Sequence, residues 1–249
     1  MTVLITGFPA GVFATNCYLA APGPGEECVI IDPGQDAEPG IEELIERYRL
    51  RPVAVLLTHG HVDHMFSVAP VCGAKGIPAY IHPGDRARLG DPLGPWANPA
   101  LSGLFTGISF TEPDDVRELA DGEAITLGGL DFTIAHTPGH TEGSVTYQSP
   151  GGYGGLAPHA QGGSGEDRSP RRDTDHILFT GDLLFAGSIG RTDLPGGDHG
   201  KMLTSLARTL AQQSDETVVL PGHGPQTTIG AERRGNPFLT GLKPAQKGM

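Results

Sequence analysis

The stretch THGHVDHM at 58–65 places three histidines and one aspartate within eight residues. It directly follows VAVLL at 53–57, an apolar run that is typical of a buried strand. The nitrogen and oxygen donors in the stretch are His59, His61, Asp63 and His64. Their spacing is too tight for one face of a helix, but a strand that ends in a turn and continues as a helix brings them together. Because unrelated core or surface histidines would not cluster in this way, we predict a metal site.

The same arrangement, a donor that follows a strand-like run and stands beside glycine, occurs three more times. The segments FTIAHTPGH, HILFTGD and TVVLPGHG supply His140, Asp182 and His223. Glycine permits tight turns at these places, and strands that lie side by side would bring all seven donors to one sheet edge. Seven donors exceed the three or four that one tetrahedral zinc ion uses, whereas two ions that share a carboxylate and a water accommodate them. We therefore predict two divalent metal ions at this edge.

The composition indicates one globular domain, 1–249. With 249 residues, of which 37% are hydrophobic, the chain can bury a full core. Its formal net charge of -12 disfavours a nucleic-acid partner, because phosphate neutralisation requires clustered Lys and Arg. Three widely separated cysteines, Cys17, Cys28 and Cys72, favour neither a disulfide framework nor a cysteine zinc site, so we expect them to be buried as small hydrophobic residues.

Neither a secretion signal nor a membrane segment is expected. The start MTVLITGFPAGVFATNCYLA lacks a basic region, and Gly, Pro, Thr and Asn interrupt its apolar residues. No run approaches the roughly 18 apolar residues of a membrane helix. We therefore expect a cytoplasmic protein with reduced thiols and without a membrane partner. The sequence does not indicate an oligomeric state.

Strand-like and helix-like runs alternate along the chain after a β-rich start. The run IEELIERYRL predicts an amphipathic helix with an apolar stripe formed by Ile41, Leu44, Ile45 and Tyr48. The run MLTSLARTLAQQ predicts another, with an apolar face formed by Met202, Leu203, Leu206 and Leu210. By contrast, 149–175 is dense in Gly, Ser, Pro and charge, and we interpret it as a flexible insertion in a hairpin. The C-terminal residues indicate a loose tail.

The motif His-x-His-x-Asp-His at 59–64 resembles the signature of the metallo-β-lactamase superfamily, and the resemblance covers nearly all of the chain. It implies an α/β fold, an αββα sandwich of two mixed β-sheets flanked by helices. It also implies two ligand sets bridged by one aspartate: His59, His61 and His140; Asp63, His64 and His223; and Asp182 between them. Asp63 is in addition the candidate catalytic residue. Asp32, in IIDPG, is implied either to be structural or to support a metal ligand, and it ranks below the ligands.

Three further segments are similar to the glyoxalase II branch of this superfamily, the hydroxyacylglutathione hydrolases, and above all to its short bacterial members. They are TPGHTEGSV, FTGDLLFAGSIGRTDLPGGD and LPGHGPQTTIGAERRGNPFL. The similarity implies a binuclear metal-dependent hydrolase that acts on small-molecule thioesters of the S-D-lactoylglutathione type. A hydroxide that bridges the metals would attack the thioester carbonyl, with the ions as Lewis acids. Zinc is the first choice of metal, and iron or manganese are alternatives.

Two features leave the substrate and the reaction open. Longer glyoxalase II enzymes hold glutathione with a C-terminal helical domain, whereas only residues 224–249 follow His223 here. Persulfide dioxygenases share the fold and a GRTD element, and would use one iron on His59, His140 and Asp182. We favour the hydrolase because PGHGPQT and ERRGNPF resemble hydrolase segments. The sequence start disfavours a secreted β-lactamase, and the acidic charge disfavours a nuclease.

Arginines near these motifs are the remaining candidates for substrate contacts. Arg191 and Asp193, in GSIGRTD, either line the substrate entrance or pair with each other to hold their loop, and we expect the pair. Arg233 and Arg234 are the other basic residues that could contact an anionic thiol.

Overall fold

The computed structural model describes residues 2–92, 109–157 and 176–242. At 154–157 it describes the backbone alone. Most of the predicted insertion, 158–175, and the end of the predicted tail, 243–249, lie outside the described residues.

The first sheet is mixed and has the strand order β10-β1-β2-β3-β4-β5-β6. Its strands are β1 (Thr2–Ala10), β2 (Thr15–Ala21), β3 (Glu27–Ile31), β4 (Arg51–Leu56), β5 (Ala79–Ile81), β6 (Val116–Glu118) and β10 (Gly152–Ala157). Strands β1, β2 and β3 pair in antiparallel fashion, and β3 to β6 are parallel to one another. The parallel half of this sheet ends at the THGHVDHM segment.

The second sheet is also mixed and has the order β15-β14-β11-β9-β8-β7. Its strands are β7 (Ala124–Leu127), β8 (Leu130–His136), β9 (Val145–Pro150), β11 (His176–Gly181), β14 (Val218–Pro221) and β15 (Thr227–Thr228). Strands β11 and β14 are parallel, and the other neighbours are antiparallel. A small hairpin joins β12 (Leu184–Phe185) to β13 (Ser188–Ile189) directly after β11.

Helices cover the outer faces of the sheets. They are α1 (Glu38–Tyr48), α2 (Val62–Met65), α3 (Val68–Lys75), α4 (His199–Gln212) and α5 (Ile229–Gly235), with short 3-10 turns at Arg86–Leu89 and Pro237–Leu239. Of the helices in the described ranges, none combines the length and the apolar character needed to cross a membrane.

The alternation of side chains along each strand divides the apolar residues between two layers. In β3, Val29 and Ile31 pack between the sheets, while Ile30 joins the cluster beneath α1 and α3. In β11, Phe179 packs between the sheets and Leu178 joins the cluster beneath α4. Because both faces of these strands are buried, their sequences are continuous apolar runs. The layers follow one another as helix, sheet, sheet and helix, which confirms the predicted αββα sandwich.

The two predicted amphipathic helices form and bury the predicted faces. In α1, Ile41 and Leu44 are buried, and in α4 Met202 and Leu206 are buried. The other members of both stripes are partly buried and pack against the same clusters. A helix on a sheet needs only such a stripe, so most of the other polar residues are exposed or partly exposed, although Ser205 and Thr209 of α4 are buried beside the stripe.

The segment 149–175, predicted as a flexible insertion, contains a strand near its start. Strand β9 ends at Pro150, and after one residue β10 begins and pairs in parallel with β1 at the edge of the other sheet. Tyr153 is buried among the residues between the sheets. The first part of the segment is therefore an edge strand. Its glycine-rich sequence, GYGGLA, lacks the apolar alternation that would have predicted one.

Candidate metal centre

The predicted donors stand at one edge of the sandwich, where strands of both sheets end. Strand β4 leads into His59 and His61, β11 into Asp182, and β14 into His223. Strands β11 and β14 are parallel. Strand β8, which precedes His140, has the same direction because two antiparallel steps through β9 separate it from β11. The carboxyl ends of these strands therefore share one edge.

Two buried tyrosines tie the sheets together at this edge. The hydroxyl of Tyr147, in β9, donates to the Leu57 carbonyl of the first sheet at 2.6 Å. The hydroxyl of Tyr18, in β2, donates to the Pro221 carbonyl of the second sheet at 2.9 Å. A buried tyrosine hydroxyl requires a partner, and each finds one directly before a donor loop. The ends of β4 and β14 are thereby fixed relative to each other.

The first group of donors consists of His59, His61 and His140. His61 Nδ1 lies 3.1 Å from His59 Nε2 and 2.8 Å from His140 Nε2. His59 and His140 are buried, and His61 is partly exposed. Three imidazole nitrogens that converge in this way suit one metal ion.

The second group consists of Asp63, His64 and His223. His223 Nε2 lies 3.2 Å from Asp63 Oδ2 and 3.3 Å from His64 Nε2. Asp182 stands between the two groups, with Oδ1 3.3 Å from His64 Nε2 and Oδ2 3.4 Å from His140 Nε2. The structure thus brings all seven predicted donors together, and Asp182 lies where a bridging carboxylate would be needed.

Neighbouring acceptors orient three of the imidazoles. The Asp32 carboxylate lies 3.0 Å from His64 Nδ1, and the Arg191 carbonyl lies 2.8 Å from His140 Nδ1. Both oxygens only accept hydrogen bonds, so each ring has a proton on Nδ1 and directs its Nε2 into the site. Thr58 Oγ1 donates to Asp32 at 2.6 Å and can accept from His59 Nδ1 at 3.1 Å. Contacts of this kind hold metal-binding histidines in one orientation.

Two histidines of the first group, His59 and His61, have lowered pKa values in the metal-free protein. Burial, together with the neighbouring imidazoles, lowers the pKa of His59 well below its usual value. Burial and His140 also lower the pKa of His61, to about 3. Neutral imidazole is the form that binds a metal ion.

The carboxylates shift the pKa values of the second-group histidines, His64 and His223, in the opposite direction. Burial lowers the pKa of His64, but Asp63, Asp182 and Asp32 together raise it well above its usual value. Burial lowers the pKa of His223, but the contact with Asp63 raises it overall. The pKa of Asp63 is low because His64 and His223 outweigh the effect of burial. In the absence of metal, protons therefore occupy this group.

The donor set fits divalent ions. Asp182 Oδ1 is a buried oxygen that makes no hydrogen bond within the described residues, although His64 Nε2 is 3.3 Å away. A buried carboxylate oxygen without a donor is costly unless a cation takes that place. Imidazole nitrogen and carboxylate oxygen together suit zinc, iron and manganese.

A pocket of about 470 Å³ opens beside the donors. Five of the predicted metal-site residues line it, namely His61, Asp63, His140, Asp182 and His223. Its other walls are mainly apolar and consist of Phe13, Val62, Pro92, Phe185, Ile189, Leu194 and Pro195, with Arg88 and Arg191 as the basic members. An apolar pocket with a few polar groups at one end is the usual form of a small-molecule site.

The arginines take different positions. Arg191 lines the pocket and pairs with Asp193 through two contacts of 2.8 Å. Arg233 and Arg234 both contact Asp215, and neither is among the residues that line the pocket. Of these three arginines, Arg191 is therefore the one that lies where it could contact a substrate in this pocket.

Sequence reasoning missed Asp85, which lies behind the donors, and Arg88, which contacts Asp85 and lines the pocket. Both side chains are buried, with Arg88 Nε 3.3 Å from Asp85 Oδ1. Asp85 follows a strand and a glycine, in IHPGD, as the predicted donors do. That local signal was present. The partners of Asp85, however, lie too far away along the chain to be inferred from the sequence.

The sequence matches the family model described as Metallo-beta-lactamase superfamily at residues 10–153 and 154–223. An uncharacterized protein of Mycobacterium tuberculosis is 48% identical, over 96% of this chain and 99% of its own. The probable metallo-hydrolase YqgX of Bacillus subtilis is 35% identical, over 94% and 96%. The hydroxyacylglutathione hydrolase GloC of Haemophilus influenzae is 32% identical, over 93% and 95%.

Three solved structures are similar to this chain over most of its length. BLEG-1 B3 metallo-beta-lactamase superposes with a TM-score of 0.75 at 38% identity, over 96% of this chain and 100% of its own. TTHA1623, in a di-iron-bound form, gives a TM-score of 0.67 at 36% identity, over 92% and 97%. ETHE1 from Myxococcus xanthus gives 0.62 at 24% identity, over 90% and 78%, and at that identity the likeness concerns the fold alone.

Proposed function

This chain belongs to the metallo-beta-lactamase superfamily, and from that premise we propose that it is a binuclear metal-dependent hydrolase that cleaves small-molecule thioesters. The observation that carries the proposal is the convergence of five imidazoles and two carboxylates at the end of an apolar pocket. The ligand sets would be His59, His61 and His140 for one ion, Asp63, His64 and His223 for the other, and Asp182 for both. Similarity to GloC supports the thioester as substrate.

When bound, two divalent ions would supply Lewis acidity that activates a water and polarises a carbonyl. The residues of the chain do the rest. Asp63 and Asp182 line the pocket as ionised carboxylates, so both can accept a hydrogen bond from a water that approaches the carbonyl. Thr15 Oγ1 donates to Asp63 Oδ2 at 3.1 Å and fixes the direction of that carboxylate. No Ser or Cys nucleophile is needed.

The pocket walls would hold the substrate. The apolar lining of the pocket includes Phe13, Val62, Phe185, Ile189 and Leu194. Apolar walls exclude water and strengthen electrostatic interactions at the reacting carbonyl. A thioester whose acyl or thiol part is apolar therefore suits this pocket better than a strongly anionic one.

A β-lactam is the second candidate substrate, and similarity to BLEG-1 favours it. Hydrolysis of a lactam amide and of a thioester both begin with the attack of an activated water on a carbonyl. The two reactions differ in the leaving group, which is an amine nitrogen in one and a thiolate sulfur in the other. Assays with both substrates separate the two candidates.

The test combines metal analysis with activity. The purified protein should bind about two metal ions per chain, since seven donors exceed the needs of one ion, and should release thiol from S-D-lactoylglutathione and from a smaller acyl thioester. In Asp182→Ala, the carboxylate between the two groups is missing, so both the metal content and the thiol release should fall. His199→Gln, which changes an exposed histidine outside the donor set, is the control and should retain both.

Other outcomes would identify other activities. One iron per chain, with oxygen consumed in the presence of glutathione persulfide, would replace the hydrolase by the persulfide dioxygenase. Turnover of a chromogenic cephalosporin without thioester cleavage would identify a lactamase. Protein that binds no divalent ion under any loading condition would refute the proposal as a whole.

A further inference from the structure

Asp85 is a buried carboxylate behind the donor loops, and it lacks the hydrogen bond that an aspartate at its position commonly makes. It stands directly before the 3-10 turn Arg86–Leu89, where an aspartate commonly caps the following turn with its side chain. Here the side chain makes no such cap hydrogen bond. Asp85 is fully buried, so its carboxylate must find donors elsewhere.

Those donors come from the two loops that carry the first group of histidines. The Gly60 N–H, between His59 and His61, donates to Asp85 Oδ2 at 2.8 Å. The Thr141 hydroxyl, next to His140, donates to the same oxygen at 2.6 Å. One carboxylate oxygen thus joins the two loops that must approach each other for a three-histidine site.

The other carboxylate oxygen extends the same connection. The Gly143 N–H donates to Asp85 Oδ1 at 3.0 Å, and Arg88 Nε lies 3.3 Å from it. Arg88 is itself buried and provides the positive charge that a buried carboxylate needs. Asp85 therefore has partners on both of its oxygens.

The glycines in these loops are matched to Asp85. A Cβ atom on Gly60 would lie 3.0 Å from the Asp85 Cβ and 2.7 Å from Arg88 Cδ. A Cβ atom on Gly143 would lie 2.5 Å from the Asp85 N and 2.7 Å from its Cγ. Both loops come this close to the carboxylate only because these residues lack a side chain.

From these contacts we propose that Asp85 is a positioning residue that sets the separation between the His59 and His61 loop and His140. The inference rests on the proposed function, since it concerns metal binding by these three histidines. Asp85 does not line the pocket and acts through the backbone of the loops. Residues that hold metal ligands in this indirect way typically contribute 10–100-fold to metal affinity.

The variant that tests this is Asp85→Asn, with Glu232→Gln as its matched control. Asn presents an NH2 group where Asp85 accepts hydrogen bonds, so at least one loop contact must break. Glu232 is also a buried carboxylate with three donors, from Gly187, Thr227 and Asn236, but it lies outside the donor loops. Its substitution should disturb folding to a similar extent without affecting the histidines.

Zinc titration of the metal-free protein against a chromophoric chelator gives two dissociation constants. In Asp85→Asn, one of them should increase about 10–100-fold, while Glu232→Gln should retain both. Cadmium-113 NMR identifies the affected site, because a three-imidazole site and a carboxylate-containing site give separate resonances. The three-imidazole resonance should shift or broaden in Asp85→Asn, which a purely structural role would not produce.

The outcomes separate the inference from the proposed function. Wild-type protein that binds no zinc refutes the proposed function. Wild-type protein that binds two zinc ions, with the same constants in Asp85→Asn, overturns the inference alone. If Asp85→Asn does not fold, Thr141→Val decides, because it removes one donor to Asp85 and preserves side-chain shape. A weakened three-histidine site supports the proposal, and an unchanged one overturns it.

Discussion

At the scale of single residues, four histidines of the site divide into two classes by the direction of their pKa shifts. His59 and His61 have lowered pKa values because burial and neighbouring imidazoles disfavour the charged form. His64 and His223 have raised pKa values because Asp63 and Asp182 overcome the effect of burial. A metal ion must displace protons from the second class but not from the first.

This difference predicts unequal pH dependence of the two metal sites. At mildly acid pH, His61, with a pKa of about 3, is already neutral, so binding there should release no proton from it. His64 and His223 are protonated at that pH, so binding at the Asp63 group should release protons. The metal affinity of this second site should fall about tenfold per released proton for each pH unit of acidification. Zinc titrations from neutral to mildly acid pH measure both slopes.

The first site is the internal control in this experiment, since both sites are in one molecule. Two affinities that fall with equal slopes would contradict the assignment of protons to His64 and His223. Calorimetry in buffers with different ionisation enthalpies counts the released protons independently.

The seven donors could be selected from the local sequence, whereas Asp85 was missed although it carries a similar local signal. The seven donors cluster after strand-like runs and five of them stand beside glycines, so their types and spacing were sufficient to select them. The partition into two ligand sets came from family resemblance, because spacing does not determine which donors converge. Asp85 was missed because its contacts reach Gly60 and Thr141, 25 and 56 positions away.

At the scale of elements, β10 shows where periodicity fails. Its sequence, GYGGLA, carries the composition of a loop, and glycine is unfavourable in strands. Strand β10 forms nevertheless, at the exposed edge of β1, with Thr2 paired to Gly152 and Val3 to Tyr153. An edge strand provides a row of unsatisfied backbone groups, and these can order even a glycine-rich partner.

Tyr153 provides the test of this element. If β10 is part of the fold, Tyr153→Ala should destabilise the protein by about 3–5 kcal/mol, the usual cost of removing a large buried aromatic ring. Tyr153→Phe is the matched control. It removes the hydroxyl, which contacts Gln226, and keeps the ring, so it should cost about 1 kcal/mol. Urea unfolding at constant zinc concentration measures both values, and equal, negligible losses would indicate a loose loop as the sequence predicted.

At the scale of the whole molecule, the sandwich arrangement brings the site together. Strand β4 belongs to the first sheet. Strands β8, β11 and β14 belong to the second, where β9 separates β8 from β11. All four strands nevertheless end at one edge. Sequence periodicity predicts the individual strands and helices, but the order of strands depends on contacts between distant segments. The αββα arrangement was therefore predicted through the family motif and not through the apolar pattern.

If the proposed thioester hydrolysis is correct, the pocket that this arrangement leaves beside the donors should determine which thiol the substrate can carry. Glutathione has two carboxylates, and their recognition requires cations. In the described part of the pocket the basic residues are Arg88 and Arg191, which are already paired with Asp85 and Asp193. Contacts that bind ground state and transition state equally affect KM, whereas contacts made only in the transition state affect kcat.

We therefore predict an appreciable kcat on S-D-lactoylglutathione together with a high KM. The absence of two charged contacts of about 1.5 kcal/mol each raises KM by about two orders of magnitude. An uncharged acyl thioester of a smaller thiol should have the higher kcat/KM. Asp193→Asn is the informative variant, because it releases Arg191 from its carboxylate partner: KM for the glutathione thioester should fall, and KM for the uncharged one should not change. A micromolar KM for the glutathione thioester in the wild type, unaffected by Asp193→Asn, would contradict this prediction and require a glutathione site that does not involve Arg191.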